Sequence, residues 1–338
     1  MTQIYEELKA CRICGDGNFE SVLNMGDIYP SDFVTGEKEA QKAPLHLVRC
    51  LNCNLVQLQH TVDLDMMYRE YWYKSSLNKS MVAALKDVVD SANMFVDTRG
   101  RNVVDIGCND GTLMQFHNAT AHRIGFDPSD VAKKAWDSKE EVSPIDILVN
   151  DFFTAEAYKE VCGSTQAHLI TAIAMFYDLP NPNQFLKDIY EILSINGVFV
   201  VQFTDLISML TLNAFDNICH EHLEYYSLAV MNKLFEDNNL SIFHVERNDV
   251  NGGSIRVYAC KTISSAHKTM PSVEHFLNEE KLYLESFQNP YKAFRDRILN
   301  LKFRLKSFIE SERGHGYTFY ALGASTKGNT LLQFYELT

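Results

Sequence analysis

Hydrophobic residues between positions 80 and 262 change repeatedly from a helical to a strand period. Ser80 to Val96 carries apolar residues at helical spacing, and short apolar runs of strand length follow it. The predicted strands lie at 103–106, in a run that ends at Asp127, and at 145–149, 169–173 and 198–203. Strands that alternate with helices in this way predict an α/β fold with a doubly wound sheet.

A hairpin is predicted after this alternation. Residues 240–245 and 254–260 alternate as strands on either side of Asn251-Gly252-Gly253. The polar residues Ser254 and Arg256 follow the glycines, so this turn contacts a phosphate or sugar, or it is a plain tight turn.

The C-terminal part begins with two stretches of helical period, 271–288 and 290–313. A strand is then predicted at 317–322, and a glycine-rich turn at 323–330 opens another helix. Such a turn, with Ser325, Lys327 and Asn329, is typical of anion binding at a helix N-terminus. It is not a P-loop, because Lys327 precedes Gly328. One strand and one helix cannot bury their apolar faces alone, so we expect this unit to pack on the central sheet or to begin a truncated C-terminal domain.

Composition limits the class of protein. The chain has 338 residues, of which 46% are hydrophobic and 22% are charged, as in globular proteins. No apolar run approaches the roughly 20 residues of a membrane span, so we expect a cytoplasmic protein without a membrane partner. The net charge of -13 argues against nucleic acid as the main partner. We expect a monomer or weak dimer.

Two pairs of cysteines predict a metal site. Cys11 and Cys14 form one C-x-x-C pair, and Cys50 and Cys53 form the other. Four thiolates complete a tetrahedral shell around Zn²⁺ and leave no open position for a substrate. We therefore expect a structural zinc that holds together a small N-terminal module.

A glycine turn after the first predicted strand indicates a nucleoside site. Gly107-Cys108-Asn109-Asp110-Gly111 follows the strand directly, and apolar residues at 113–116 predict a helix after it. The second strand ends at Asp127, about 20 positions later, which is the spacing of a ribose-binding acid.

Charge distinguishes the nucleosides. A dinucleotide fingerprint requires a second glycine where this chain has Asn109, and Asp105 and Asp110 bracket the turn. Carboxylates repel a pyrophosphate but suit the ammonium and sulfonium groups of S-adenosylmethionine, which we therefore favour over NAD. Asp127 is expected to accept the ribose hydroxyls, and Asp151-Phe152 to meet the adenine.

Segment 217–226 concentrates titratable and aromatic side chains. His220 and His222 flank Glu221, and two histidines around a carboxylate are suited to general-base catalysis. The zinc-protease motif H-E-x-x-H is excluded, because it requires a histidine where this chain has Glu224. Histidines in a turn also serve packing or capping, so the preceding strand is the argument for catalysis: it delivers them to the ligand edge of the sheet.

Tyrosines provide further candidates. The cluster Tyr68, Tyr71, Trp72 and Tyr73 precedes two serines, and it either packs in a core or lines a polar pocket. Methylation of a carbon next to a ketone requires a base and a group that stabilises the enolate. A neutral histidine supplies the first, and Tyr225, Tyr226 or Arg256 is a candidate for the second.

These motifs together resemble the three-domain sugar C-methyltransferases, which act on nucleotide-linked 4-keto-deoxysugars. The resemblance extends over nearly the whole chain and rests on the four cysteines, 73–76, 104–111, 220–222, 251–257 and 323–330. It implies a zinc-binding module over residues 1–75 and a class I methyltransferase domain with a Rossmann-like sheet over 78–262. Residues 263–338 would form a helical linker and the beginning of a C-terminal nucleotide-sugar-binding domain.

The resemblance also implies roles for individual residues. His222 would remove the proton from the carbon beside the ketone, supported by Glu221 and His220, and Tyr73 would line the sugar pocket. S-adenosylmethionine would be bound through Asp105, Gly107, Cys108, Asn109, Asp127, Asp151 and Phe152. Candidate substrate contacts are Tyr225, Asn251, Gly253, Ser254, Arg256, Ser325, Lys327 and Asn329.

One departure from the family concerns the substrate. The family has a tyrosine immediately before the first histidine, whereas this chain has Cys219. Two other functions fit the same residues: an O- or N-methyltransferase for another small molecule, and a zinc-ribbon binding module attached to a non-catalytic methyltransferase fold.

Overall fold

A seven-stranded sheet lies at the centre of the chain, and a smaller antiparallel sheet lies N-terminal to it in sequence. The computed structural model describes residues 4–31, 41–69, 73–138, 143–321 and 325–337. Its strands are β1 (Tyr5–Glu7), β2 (Phe19–Ile28), β3 (Ala43–Cys50), β4 (Val56–Leu58), β5 (His60–Val62), β6 (Asn102–Ile106), β7 (His122–Phe126), β8 (Ile147–Val149), β9 (Ala167–Ile173), β10 (Leu193–Thr204), β11 (Glu224–Tyr225), β12 (Leu240–Asn248) and β13 (Ser254–Lys261).

The α-helices fall between and after these strands. They are α1 (Leu64–Tyr68), α2 (Lys79–Ala92), α3 (Asp130–Asp137), α4 (Ala155–Cys162), α5 (Pro182–Ile192), α6 (Leu206–Leu212), α7 (Leu228–Asp237), α8 (Pro271–Glu285), α9 (Pro290–Gly314) and α10 (Thr326–Tyr335). Short 3₁₀ turns cover Ser75–Leu77, Met114–Phe116, Phe176–Asp178, Phe215–Asn217 and Val250–Gly252.

The central sheet has the strand order β12-β13-β10-β9-β6-β7-β8. Strands β10, β9, β6, β7 and β8 pair in parallel, and β13 and β12 close one edge as an antiparallel hairpin. The chain continues from β6 to β7 on one side and later to β9 on the other, so the order reverses between β6 and β9. This confirms the doubly wound sheet, and such a reversal places a ligand crevice at the carboxyl ends of these strands.

The antiparallel sheet of the N-terminal module has the order β11-β4-β3-β2. Its edge strand β11 comes from far along the chain: Glu224 pairs with Gln57 and Tyr225 with Val56. The N–H of Leu58 also donates to the carbonyl of Leu223 at 2.8 Å. The segment that contains the paired histidines is therefore part of the N-terminal sheet.

Helices α6, α9 and α10 pack with the N-terminal sheet in one hydrophobic cluster. Buried residues from α9, such as Phe294 and Ile298, share this cluster with Leu47 of β3 and Phe334 of α10. The C-terminal helices thus cover the antiparallel sheet.

Two predicted elements are wrong. Residues 113–116 form only a 3₁₀ turn, because the roughly ten residues between Gly111 and β7 leave no room for a longer helix. Residues 317–321 form no strand: no neighbouring strand pairs with them, and Tyr320 is 90% exposed. Tyr71, Trp72 and the Leu322-Gly323-Ala324 part of the glycine-rich turn lie outside the described residues. Within the described ranges, no helix combines the length and apolarity that a membrane span requires.

Candidate active site

The two cysteine pairs lie in matching turns. The N–H of Gly15 donates to the carbonyl of Cys11, and the N–H of Asn54 donates to the carbonyl of Cys50. Gly15 and Asn54 both have positive φ angles, of 71° and 64°. Glycine and asparagine tolerate this left-handed conformation, which turns the chain back after each pair.

The sulfur atoms of the cysteines form a cluster of the size that zinc requires. All four lie within 4.8 Å of one another, with 3.5 Å between Cys11 and Cys53 and 3.5 Å between Cys14 and Cys50. Tetrahedral zinc with Zn–S bonds of about 2.3 Å holds its sulfurs about 3.8 Å apart. The four thiolates therefore fit a structural zinc ion.

The glycine turn after β6 has the shape of a nucleoside-binding loop. Gly107, Asn109 and Gly111 have φ angles of 74°, 52° and 80°, and a Cβ on Gly107 would lie 3.2 Å from the Met175 side chain. The N–H of Asn109 donates to Asp127 Oδ2 at 2.8 Å, which joins this turn to the end of β7. Cys108 is buried beside Gly125, so only its backbone faces the turn.

Carboxyl groups cluster at this end of the sheet. Asp105 is 3% exposed, and its Oδ1 accepts a hydrogen bond from the Thr171 hydroxyl at 2.7 Å. Burial raises the pKa of Asp105 to about 7; the Thr171 hydrogen bond opposes this rise, and the nearby Asp127 carboxylate adds to it. A cationic ligand would relieve this repulsion. The acidic turn therefore fits a methyl donor that carries sulfonium and ammonium groups.

The segment after α1 is bound to the glycine turn. The Asn109 side chain donates to the Tyr73 carbonyl at 2.9 Å and accepts from the Ser75 N–H at 3.0 Å. Asp110 accepts from the Ser76 N–H at 3.0 Å. Burial and then the charge of Asp110 raise the pKa of Tyr73. Tyr73 therefore lies at the glycine turn, and the Asn109 side chain holds this segment in place.

Asp151 and Phe152 lie at the surface beyond β8. Arg69 is 3.3 Å from Asp151 Oδ1, and its guanidinium carbon is 5.6 Å from the centre of the Phe152 ring. Phe152 is 38% exposed, which leaves a ring face for an adenine.

His222 is held in one orientation. Its Nδ1 lies 2.8 Å from the carbonyl oxygen of Asn217, and the Tyr177 ring packs edge-on against it with centroids 4.4 Å apart. Because a carbonyl only accepts, Nδ1 carries the proton and Nε2 has the free lone pair of the neutral ring. Burial lowers the pKa of His222 to about 4; the Asn217 hydrogen bond opposes this, and the charge of Lys327 lowers the pKa further.

The neighbours of His222 point in different directions. His220 is 4% exposed, and its Nε2 lies 3.1 Å from the carbonyl oxygen of Ala43 in β3. Glu221 is 9% exposed, and its Oε2 has no hydrogen-bond partner among the described residues. His220 thus anchors the segment to the N-terminal sheet, whereas Glu221 faces a buried polar region. Direct support of His222 by His220, implied by the resemblance, is not what this geometry provides.

Tyr225 also uses the Asn217 carbonyl. Its hydroxyl donates to that oxygen at 3.3 Å, and the ring is 4% exposed. The hydroxyl is thus committed to orienting the segment together with His222.

Residues after β12 and in α10 meet beside the histidine. Lys327 Nζ donates to the Asn251 carbonyl at 3.3 Å, and Lys327 is close enough to His222 to affect its pKa. The Thr330 hydroxyl donates to the Ile218 carbonyl at 3.2 Å. The structure therefore brings His222, Asn251 and Lys327 together.

The other candidate substrate contacts have intramolecular partners. Ser325 caps α10 by accepting from the Gly328 N–H, and the Asn329 amide donates to the Tyr29 carbonyl. Gly253 has a φ of 111°, and a Cβ there would lie 2.8 Å from Ser208 Cβ, so the position requires glycine. The Ser254 hydroxyl donates to the Val250 carbonyl at 2.8 Å.

Arg256 lies in a buried network within the sheet. It is 1% exposed, with Nε 2.8 Å from Gln202 Oε1 and Nη2 2.9 Å from Asp87 Oδ2. A contact between Arg256 and a substrate would require this network to open. The partners of Arg256 are thus protein side chains and not the predicted phosphate or sugar.

The sequence pattern did not identify two functional candidates, Tyr177 and Met175. The turn Phe176–Asp178 follows β9 and contributes Tyr177 to the His222 ring, while the preceding Met175 packs on Gly107. This turn links the cofactor loop to the histidine. Its position at the carboxyl end of a central parallel strand was the signal that could have identified it.

Comparisons with known families divide the chain in the same order as its motifs. The model described as "Putative zinc binding domain" matches residues 11–68, "Methyltransferase domain" matches 78–245, and "C-methyltransferase C-terminal domain" matches 249–338.

Some known methyltransferases are similar to this chain in sequence or in part of their fold. C-methyltransferase NovU of Streptomyces niveus is 29% identical over 340 residues, covering 98% of this chain and 79% of NovU. Magnesium protoporphyrin IX methyltransferase (ChlM) from Synechocystis PCC 6803 with bound SAH has a TM-score of 0.41 and 15% identity, over 54% of this chain and 88% of ChlM. The mitomycin 7-O-methyltransferase MmcR has a TM-score of 0.41 and 14% identity, over 55% of each chain.

The matched models agree with the chemistry of the residues. Zinc is the structural metal of the four-cysteine cluster, and S-adenosylmethionine is the cofactor of the methyltransferase domain. The three matched domain models, and 29% identity to a C-methyltransferase over 98% of the chain, support a three-domain C-methyltransferase family.

Proposed function

We propose that this protein methylates the carbon next to the ketone of a nucleotide-linked 4-keto-deoxysugar. The observation that carries the proposal is the hydrogen bond from His222 Nδ1 to the Asn217 carbonyl, 2.8 Å long. It fixes the tautomer in which Nε2 is unprotonated, and a carbon acid needs such a base. Methyl transfer to an acidic hydroxyl would depend less on such a base.

The proton transfer can be followed through this chain's own atoms. His222 Nε2 takes the proton from the carbon beside the ketone, the C–H electrons form a carbon–carbon double bond, and negative charge moves to the ketone oxygen. The low pKa of His222, about 4, keeps the ring neutral before the reaction. S-adenosylmethionine, when bound, would supply an electrophilic methyl group to the enolate carbon as the carbonyl re-forms; the electrons of the broken S–CH₃ bond would stay on sulfur, and S-adenosylhomocysteine would leave.

The proposed cofactor residues are Asp105, Asp127 and the 107–111 turn, with Asp151 and Phe152 at the adenine end. Tyr73 is placed at this turn by the Asn109 hydrogen bond to its carbonyl, so its ring is a candidate wall between the cofactor and the sugar.

The nucleotide part of the substrate would be recognised near α10. Lys327 presents an ammonium group beside His222 and Asn251, and ammonium groups suit phosphate oxygens. A nucleoside diphosphate held there would place its sugar next to His222. Full-length similarity to a C-methyltransferase supports the reaction type but leaves the sugar to experiment.

The experiment is a mass-spectrometric screen of the purified protein with S-adenosylmethionine and a panel of nucleotide-linked 4-keto-sugars, followed by NMR of any product. We expect a gain of one methyl mass on a ring carbon. A methyl group on oxygen would overturn the role of His222 as a carbon base. If cofactor binding is demonstrated but no keto-sugar reacts, the proposed substrate class is wrong.

A further inference from the structure

A buried carboxyl oxygen without a hydrogen-bond partner lies on the turn that packs against the proposed base. Asp178 Oδ1 is inaccessible to water and has no partner among the described residues, and the same holds for Glu221 Oε2. Asp178 directly follows Tyr177, whose ring packs on His222. Buried polar atoms are almost always hydrogen-bonded, so two orphaned carboxyl oxygens in one place indicate a group that is completed by a ligand.

The surroundings of Asp178 do not favour its ionised form. Glu221 and Glu224 both lie close enough to repel a negative charge on Asp178, and Cys219 and Tyr225 are neighbours on the same segment. The Tyr68 hydroxyl donates to the Glu221 carbonyl at 2.8 Å and also interacts with Asp178. Burial, with the charges of the two glutamates, raises the pKa of Asp178 well above its usual range, although the Tyr68 hydrogen bond opposes this.

We propose that Asp178 is a further catalytic residue, a neutral carboxylic acid whose unpaired oxygen donates a hydrogen bond to the ketone oxygen as that oxygen becomes an enolate. This inference rests on the proposed function, because it concerns the same deprotonation. The C–H proton moves to His222 Nε2, the electron pair ends on the ketone oxygen, and the Asp178 proton stabilises it there. A neutral acid in an apolar site is an effective donor to an enolate.

The sequence gives this role a reason. Cys219 stands where the resembling family has a tyrosine hydroxyl, and the Cys219 thiol is buried and directed to the Asn217 carbonyl at 3.7 Å. A thiol is a weak donor, and the Tyr225 hydroxyl is already bound to the same carbonyl. Among the described side chains near His222, Asp178 and Glu221 are the carboxylic acids next to the ring in sequence or on its packing turn that have an unpaired buried oxygen, and Asp178 is the one on the turn of Tyr177.

Two variants separate a donor from a charge. Asp178→Asn keeps an N–H donor in the same place, whereas Asp178→Ala removes it. The readout is deuterium uptake at the carbon next to the ketone, measured in D₂O with enzyme saturated with S-adenosylhomocysteine, so that no methyl transfer occurs. We expect the Asn variant to lose no more than about tenfold in exchange rate and the Ala variant to lose about 10²- to 10³-fold, as for removal of an oxyanion donor. Asp216→Asn, in the neighbouring 3₁₀ turn, is the matched control and should exchange normally.

The possible results can be distinguished. Equal loss in the Asn and Ala variants would assign Asp178 a charged role and overturn the inference, as would normal exchange in the Ala variant. No exchange by the wild type with any keto-sugar would overturn the proposed function and this inference with it. A substrate-free check is the infrared difference spectrum between wild type and Asp178→Asn at neutral pH. It should contain a protonated-carboxyl band, and a carboxylate band instead would overturn the inference. Zinc content and cofactor binding report whether each variant is folded.

Discussion

Arg12 Nε lies 3.4 Å from Glu224 Oε1, and the two side chains are 2% and 0% exposed. Arg12 stands between two of the zinc-binding cysteines, and Glu224 stands two residues after His222. Arg12 also donates to the Leu58 carbonyl at 2.7 Å and to the Thr61 hydroxyl at 2.7 Å. The metal module and the segment that carries His222 are therefore joined by a buried ion pair as well as by strand pairing.

Glu224→Gln should destabilise the protein strongly. It leaves the Arg12 guanidinium buried without its counter-charge, and breaking a buried pair from one side typically costs about 3–5 kcal/mol. The measurement is the free energy of unfolding in denaturant. The double variant Arg12→Met/Glu224→Leu should be less destabilised than the sum of its single variants, because neither charge remains unpaired. Lys86→Met, which removes an exposed ion pair with Asp90, is the control and should show no measurable change. Additive single and double variants would contradict coupling through the pair.

Cys14→Ser and Cys53→Ser should lower the zinc content and the thermal stability together. Three remaining thiolates do not complete the tetrahedral shell that holds the two cysteine pairs together. Elemental analysis should find about one zinc per chain in the wild type, the content of a single closed four-thiolate site. Cys162→Ser, at the end of α4, should change neither quantity. Wild-type protein that is fully folded and metal-free would refute the site.

His222→Gln should abolish most of the turnover while leaving cofactor binding intact. Loss of a general base typically costs about 10²- to 10⁴-fold in rate, and the glutamine cannot take a proton. Steady-state kinetics and calorimetric titration with S-adenosylmethionine measure the two effects. His275→Gln, on an exposed face of α8, is the matched control. Near-normal turnover of the His222 variant would rule out the carbanion mechanism.

The pH profile offers a separate test of the same histidine. Because its folded pKa is about 4, the ring is unprotonated and active above that value and loses activity only as the pH falls through it. The kcat/KM of the wild type should therefore stay constant as the pH falls through 6.5, the usual pKa of histidine, and should decrease only near pH 4. An acidic limb with a midpoint near 6.5 would show that the free enzyme holds a solvated imidazole.

His220 should make the stability of the fold depend on pH. Burial lowers its folded pKa to about 4, against about 6.5 in an unfolded chain. Below pH 6.5 this histidine is protonated in the unfolded chain but stays neutral in the folded protein. The free energy of unfolding therefore falls, by about 2 kcal/mol at pH 5 for this residue. His220→Gln keeps a donor toward the Ala43 carbonyl but does not titrate. The stability difference between pH 7 and pH 5 should shrink by about that amount in the variant. An unchanged difference would contradict the assignment.

The sequence was most informative where chemistry is local. The cysteine pairs, the 107–111 turn and the strands of the central sheet follow from spacing and periodicity over a few residues, and the structure has them at those positions. The interpretation of 113–116 as a helix is wrong for a reason that needs the three-dimensional fold: the next strand begins too soon. The predicted strand at 317–322 is not formed by residues 317–321, because none of the described strands pairs with them.

Contacts between distant parts of the chain were beyond the sequence pattern. Arg12 and Glu224 carry no signal that they meet, and Asp178 is one of many acidic residues until the fold buries it. Three consecutive residues, 220–222, also point in different directions because they lie in a turn, where no period relates one side chain to the next. Their division into an anchor, a buried carboxyl and a proposed base required the structure.

The hydrogen bond from Thr330 to the Ile218 carbonyl has a consequence for how the protein is made. Synthesis proceeds from the N-terminus, so residues 217–226 leave the ribosome long before α10 does. Until α10 has been synthesised, residues 217–226 lack the Thr330 contact and the Lys327 charge beside His222. The two cysteine turns and β3 are already available to them. A nascent chain can thus bring its four cysteines together before the loop that carries His222 gains its contacts with α10.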